Sequence, residues 1–172
     1  MNFHQIKNIG YLLAYPTVTT EDYEKYIDCA LSLLDNDYTY TSICCLASLT
    51  QPINFFEAKE IILNVKDDLK LLHLEFETAI IVFSYQLVKN ISNEVDVFES
   101  LAHLKELCVS NNYDSNILCF AELYWAYQDL QYCDVQYYWE GMNKENCYEV
   151  IIQHSKKWLV ENALVISLIE GK

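Results

Sequence analysis

Glycine, proline and arginine are scarce in this sequence of 172 residues. It contains three glycines and two prolines, and all eleven of its strongly basic side chains are lysines. An all-β chain of this length would need many turns, and turns draw heavily on Gly, Pro, Asn and Asp. The scarcity of glycine and proline therefore predicts an all-α fold made of long helices.

Signatures of catalysis and cofactor binding are also absent. The sequence has no phosphate-binding loop, no glycine-rich dinucleotide fingerprint, no nucleophile elbow and no H-E-x-x-H. A nucleophilic Cys–His pair has no local motif to support it. We therefore expect a protein that is not an enzyme and that needs no cofactor.

The seven cysteines do not form a metal-binding or disulfide pattern. Their number is odd and no C-x-x-C occurs, which favours reduced thiols in a cytoplasmic protein. The beginning of the chain lacks the features of a signal peptide, and no run reaches the ~18 apolar residues of a membrane span. Glu99, His103 and Glu106 share one helical face, but the chain has no Glu-x-x-His, so we expect a solvated face without metal.

Charge narrows the class of partner. The net charge is −14, while 52% of residues are hydrophobic, enough to fill the core of a single domain spanning residues 1–172. A strongly acidic protein repels nucleic acid and anionic membranes. A basic protein is therefore the expected partner, with no direct nucleic-acid or membrane binding, and the chain itself is expected to be a monomer or weak dimer.

Capping residues divide the chain into about eight predicted helices. The first ends at Pro16, and the second runs from Thr19 and Thr20 to about Asp35. The others are predicted at 39–49, from Asn54 to about Asn64, from Asp67 and Asp68 onward, from Asn93 to Asn112, from Asp114 onward, and from Asn143 to about Glu161. Short connections favour antiparallel neighbours, in a bundle or a stacked helical-hairpin array of the HEAT or armadillo type.

The fifth predicted helix has two apolar stripes on opposite sides. Such a helix is expected to lie between neighbours rather than on the surface. The first stripe is Leu69, Leu72, Phe76, Ala79, Ile80, Phe83 and Leu87, and the second is Leu74, Ile81, Tyr85 and Val88.

The segment YWAYQDLQYCDVQYYWEG, residues 124–141, is both aromatic and acidic. It holds seven aromatic and three acidic residues, and no lysine occurs between Glu106 and Asn143. Trp and Tyr are enriched at interface hot spots, and carboxylates around them would attract a basic partner. The predicted partner-binding residues are Glu122, Trp125, Asp129, Tyr132, Asp134, Tyr137, Tyr138, Trp139 and Glu140.

A competing interpretation makes Trp125 and Tyr132 part of the core. On this interpretation the seventh helix has two buried faces, like the fifth, and both rings pack against a neighbouring helix. The interface would then have to be sought elsewhere. The next candidate is the lysine-free run between Tyr26 and Ala58, which contains Asp28, Asp35, Asp37 and Glu57.

In length, helical content, net charge and acidic aromatic surface, the chain resembles the immunity proteins of bacterial toxin–immunity systems, such as contact-dependent growth inhibition. The resemblance implies a cytoplasmic protein that neutralises a cognate toxin, commonly a nuclease, by direct binding. An acidic patch suits a nuclease because the cleft of a nuclease is basic. The alternative is an acidic helical chaperone or adaptor that holds a secreted or assembling protein through hydrophobic grooves.

Overall fold

The computed structural model describes residue 3 and residues 5–170, and all regular structure in this part of the chain is α-helical. The all-α prediction is therefore confirmed. The helices are α1 Ile9–Ala14, α2 Glu24–Asp35, α3 Thr41–Ala47, α4 Phe55–Asp68, α5 Phe76–Ser92, α6 Val97–Ser110, α7 Leu118–Tyr132, α8 Cys147–Glu161 and α9 Ala163–Glu170. None of these described helices is both long and apolar enough to cross a membrane.

The described residues group into two compact units. Unit 1 extends to Phe83 and resumes at Ser167, and unit 2 is Ser84–Ile166. The division falls inside α5 and again inside α9. The single domain expected from chain length stays a prediction.

Four helices end in the same way without using glycine. After α2, α4, α5 and α6, the second residue past the helix is left-handed, and the next amide donates back across the last turn. These amide-to-carbonyl bonds are Tyr38 to Leu33, Leu71 to Lys66, Val95 to Asn90 and Tyr113 to Cys108, at 2.9–3.1 Å. The left-handed residues are Asp37, Lys70, Glu94 and Asn112. This Schellman geometry usually takes glycine, and its use of other residues explains how so many helices end in a chain with so little glycine.

The prediction that Asp67 and Asp68 open a long fifth helix is wrong. Both belong to the last turn of α4, which closes through Lys70 at φ 53°, and α5 begins only at Phe76. The error came from treating Leu69 and Leu72 as the start of the next apolar stripe. Leu69 is buried as the C-cap of α4, whereas Leu72 is exposed between the two helices.

The remaining boundaries were predicted with mixed success. Asn54 caps α4 as predicted, and its side chain accepts from the amides of Phe56 and Glu57. The second, seventh and eighth predicted helices begin three to five residues later than their acidic or polar openings, because those residues form preceding turns. The chain also divides at Asn162, so the last predicted helix is followed by a separate α9.

The buried faces of α5 agree with the two predicted stripes. Ala79, Ile80, Phe83 and Leu87 from the first stripe are buried. Ile81, Tyr85 and Val88 from the second are buried as well. The part of the prediction that lies within α5 is confirmed except at Phe76, its first residue, which is exposed. Leu72 is exposed and Leu74 is half-buried, and both precede the helix.

Helix α1 lies in the core of unit 1, and all six of its residues are buried. Its terminal carbonyl groups need donors that water cannot provide there. The ammonium group of Lys66, itself buried, donates to the carbonyl oxygen of Leu13 at 2.9 Å and to that of Tyr15. Burial lowers the pKa of Lys66 to about 8, and the nearby charge of Asp67 partly opposes this lowering.

Gly10 lets α1 approach the α5 backbone within unit 1. A Cβ atom at this position would collide with the carbonyl oxygen of Val82 and would lie 3.4 Å from its carbonyl carbon. Because the obstacle is backbone rather than the end of a flexible side chain, it cannot move aside without shifting a helix.

Gly10→Ala is expected to lower the free energy of unfolding by about 2 kcal/mol, since overpacking costs more than the helix propensity of alanine returns. Chemical denaturation would measure the change. Gly141→Ala is the matched comparison: Gly141 has open space but φ 76°, so that change should cost only about 1 kcal/mol. A Gly10→Ala protein as stable as the wild type would contradict the close approach.

Candidate protein-interaction site

The predicted partner-binding residues occupy α7 and the loop that follows it in unit 2. Tyr132, Tyr137 and Tyr138 are 84%, 90% and 48% exposed. Trp125 and Trp139 are half-buried. Of the acidic residues, Glu122 and Asp129 are half-buried on α7, whereas Asp134 and Glu140 are exposed on the loop.

Trp125 is packed between two other rings. Its ring centroid lies 6.3 Å from that of Tyr113 and 5.6 Å from that of Tyr138, both at 45°. These partners come from the connection after α6 and from the loop after α7, so Trp125 is neither a fully exposed anchor nor a residue buried in a helix–helix core. The loop folds back along the Trp125 face of α7, and this leaves Tyr137 and Tyr132 in solvent.

Tyr113, Trp125 and Tyr138 form a ring cluster, and sequence reasoning missed Tyr113. It is 54% exposed and follows the helix stop at Asn112 in a left-handed conformation of its own, φ 59°. Twelve residues separate it from Trp125, so no helical periodicity connects the two. The available signal was its place directly after the helix stop, where the Schellman motif often has an apolar side chain, as Leu71 and Val95 show after α4 and α5.

Gln136 organises the loop that carries the exposed tyrosines. Its side-chain oxygen accepts from the amides of Tyr138 and Trp139, both at 2.8 Å. Its side-chain nitrogen donates to the carbonyl oxygens of Trp139 at 2.5 Å and Met142 at 2.9 Å. One side chain therefore satisfies four backbone groups and holds the loop in one shape.

The far end of the loop is fixed by two asparagines. The Asn143 side-chain oxygen accepts from the amides of Glu145 and Asn146, at 2.9 and 3.1 Å. The side-chain nitrogen of Asn146 donates to the carbonyl oxygen of Gly141 at 2.9 Å. Met142 is buried, which fastens this turn to unit 2.

Asp134 forms an ion pair with Lys144 across the loop. The ammonium nitrogen and carboxylate oxygen are 2.7 Å apart. The hydrogen bond and positive charge of Lys144 lower the pKa of Asp134 below its usual value. Both groups are exposed, so this pair contributes little to stability.

Trp139 packs against a histidine on α8. Its ring lies 4.8 Å from that of His154 in an edge-to-face arrangement, and Phe120 meets the same imidazole from α7 at 5.5 Å. The Nε2 atom of His154 is buried and has no hydrogen-bond partner among the described residues. Burial lowers the pKa of His154, Lys157 adds to this lowering, and Glu161 acts in the opposite direction.

The other charged residues singled out from the sequence do not converge. Glu99, His103 and Glu106 are all exposed on α6, and within the described residues no three His, Cys, Asp or Glu side chains are placed to share a metal ion. All seven cysteines are free thiols. In the lysine-free run of unit 1, Asp28 is paired with Lys7 at 2.6 Å.

Comparison of the chain with protein-family models, with curated proteins and with solved structures finds no significant match. Function has to be inferred from the geometry and chemistry of the chain itself.

Replacing Gln136 should loosen the loop while leaving the helices of unit 2 folded. Gln136→Leu removes all four backbone hydrogen bonds of this side chain but keeps much of its volume. Hydrogen exchange at residues 137–142 is expected to accelerate at least about tenfold, because each of these bonds contributes roughly 1 kcal/mol. Gln131→Leu, on the exposed C-terminal turn of α7, is the matched control and should change nothing in the loop. Unchanged exchange in Gln136→Leu would show that ring packing alone holds the loop.

Protonation of His154 should destabilise unit 2. Its pKa in the folded protein lies below the usual 6.5, so the unfolded chain binds the proton at higher pH than the folded chain does. Stability from this residue is complete above about pH 6.5 and is lost as the pH falls toward the folded pKa. His154→Leu has no imidazole to protonate, so its melting temperature should rise relative to that of the wild type as the pH is lowered from about 7.5 to about 5. A difference between the two proteins that stays constant over this range would contradict the shift.

Proposed function

We propose that this acidic protein binds a basic protein partner through the ring cluster and loop of unit 2 and inhibits that partner. The observation that carries the proposal is the pair of exposed phenol rings, Tyr132 and Tyr137, beside a loop that Gln136 holds in place. Tyrosine is among the side chains most enriched at binding hot spots, which favours a binding role for these two exposed rings.

The fixed loop lowers the cost of association. A side chain or loop that must be immobilised on binding costs roughly 0.5–1.5 kcal/mol for each rotamer-rich group. Tyrosine has few rotatable bonds, and the backbone around Tyr138 and Trp139 is already held by hydrogen bonds. Tyr137 and Tyr138 can therefore bury their area against a partner with little further ordering.

The negative charges on this surface favour a positively charged partner. Glu122 and Asp129 lie three positions before and four positions after Trp125, so they share its side of α7, and Glu140 is exposed on the loop next to Trp139. Lys144 is the first lysine after the lysine-free segment between Glu106 and Asn143, and Asp134 already pairs with it. A basic surface would gain on approach, mainly through a faster association rate.

An immunity protein is the biological role that fits this chemistry best. Nucleases hold phosphate groups with positive charge, so an acidic, aromatic protein can cover the cleft or bind beside it and block the substrate. We propose a toxin domain, with nuclease activity, as the partner that this protein neutralises in the cytoplasm of a bacterial cell.

A chaperone or adaptor role is the second candidate, and exposed apolar side chains in unit 1 favour it. Phe56 is 80% exposed and Leu72 is 77% exposed. Clients bound there would be held through apolar contacts and would resist salt, whereas the ring cluster should release its partner more readily as salt rises.

The test is capture of a partner from the source cell on immobilised wild-type protein, followed by an activity assay of what is captured. One stoichiometric basic protein whose toxic activity is lost in the complex would support inhibition. Several clients held at high salt would support the chaperone role, and a partner that stays fully active would contradict inhibition.

Tyr137→Ala should weaken binding of this partner at least about tenfold, mainly through faster dissociation, because hot-spot rings typically contribute ~2 kcal/mol or more. Tyr137 is 90% exposed, so the fold should not change. Tyr40→Ala in unit 1 is the matched control and should bind normally. Trp125→Ala should weaken binding similarly but also lower the melting temperature, since its contacts with Tyr113 and Tyr138 are lost.

Asp129→Lys should act on the association rate instead. That rate is expected to fall steeply for the wild type as the screening length drops from about 10 Å at 0.1 M salt to about 3 Å at 1 M. Stopped-flow kinetics would measure it. An association rate that does not depend on salt, or full affinity in Tyr137→Ala, would place the interface outside the ring cluster and loop of unit 2.

A further inference from the structure

Unit 1 contains a separate pocket of about 420 Å³ where α2 and α4 begin. Five of its seven lining residues carry an aromatic ring or a carboxylate, and the other two are Gln51 and Ile53. Its principal lining residues are Glu21, Asp22, Tyr23, Glu24, Gln51 and Phe55.

Two rings form perpendicular walls of this pocket. The Tyr23 and Phe55 centroids are 6.0 Å apart and their planes meet at 88°. Phe55 is partly exposed, and its neighbour Phe56 is almost wholly exposed, with a ring–ring distance of 5.5 Å. The corner between the rings therefore opens to solvent beside a further apolar surface.

The protein already places a cation on one of these rings. The ammonium nitrogen of Lys59 lies 3.8 Å from the centroid of Phe55. A cation this close to a ring face is attracted by the ring quadrupole, so Lys59 already uses one face of Phe55. Lys59 does not line the pocket, and a cation in the pocket has to use the rest of this ring or the ring of Tyr23.

The pocket has more carboxylates than α2 needs to stabilise its N-terminus. Glu24 lies in the first turn of α2, where its charge favours the helix dipole. That effect does not explain why Glu21 and Asp22, which precede the helix, line the same pocket as the two rings. Asp22 has Lys25 at 3.8 Å, a distance that leaves its carboxylate available for a second donor.

We infer that this pocket receives a basic side chain of a polypeptide, arginine in preference to lysine, between the two rings and the carboxylates. A planar guanidinium stacks on an aromatic face and donates to a carboxylate in two directions, which an ammonium group cannot do. Phe56 provides apolar surface beside the pocket for the segment that carries the arginine. A free polyamine would make no use of that surface.

This site is independent of the one proposed in unit 2. It uses other residues, so an experiment that disproves binding at one site does not bear on the other. Variants of Trp125 or Tyr137 should bind an arginine probe in unit 1 as the wild type does.

The probe is a blocked pentapeptide with one central arginine between alanines, titrated into the ¹⁵N-labelled full chain. Chemical-shift changes are expected at the backbone amides around Tyr23 and Phe55. The lysine version should bind more weakly. The citrulline version keeps the shape of arginine without its charge and should not bind.

Two variants locate the binding. Phe55→Leu should weaken binding of the arginine peptide at least about threefold, because the aromatic ring is lost. Glu21→Gln with Asp22→Asn should do the same without touching a ring. The matched control is Glu99→Gln with Glu106→Gln, which removes two charges from the exposed face of α6 and should leave affinity near that of the wild type.

Three results would overturn the proposal: shifts spread over the whole acidic surface, an equal loss in the α6 control, or spermidine competing as well as the arginine peptide. Melting curves of each variant would identify an unfolded protein. If Phe55→Leu does not fold, the carboxylate variant decides the question.

Discussion

The buried ammonium group of Lys66 makes the core of unit 1 possible. Helix α1 has six residues and all are buried, so the carbonyl groups at its end need donors from the protein. Leaving such a group without a donor costs about 1–3 kcal/mol. Lys66 reaches from α4 to the carbonyls of Leu13 and Tyr15, and Gly10 lets the same short helix lie against the backbone of α5.

That arrangement accounts for an acidic residue in an unusual place. Asp67 follows Lys66 directly, in the last turn of α4, where the helix dipole disfavours a carboxylate. Its negative charge raises the pKa of Lys66 against the lowering caused by burial, and so favours the charged form of the lysine that donates to α1. An unfavourable position for one helix is thus useful to the packing of another.

Side-chain amides and left-handed polar residues do in this protein what glycine does in others. Asp37, Lys70, Glu94 and Asn112 close helices, and Gln136 with Asn143 and Asn146 closes the loop after α7. This loop also uses one glycine, Gly141 at φ 76°, but the hydrogen bonds of these side chains fix the rest of its backbone, so it holds its exposed tyrosines in one place. Rigid presentation suits the proposed binding role, because ordering a loop on binding would weaken the complex.

The sequence by itself determined the helical class, the cap at Asn54, the two buried stripes of α5 and the joint presence of rings and carboxylates in residues 124–141. Each of these depends on composition or on neighbours within a few residues. Tertiary structure alone decided the break at Lys70, the packing of Trp125 with Tyr113 and Tyr138, and the corner of Tyr23 with Phe55. The left-handed turn at Lys70 has no glycine to mark it. The ring contacts join residues that are 12, 13 and 32 positions apart, where helical periodicity carries no information and only the folded chain brings the side chains together.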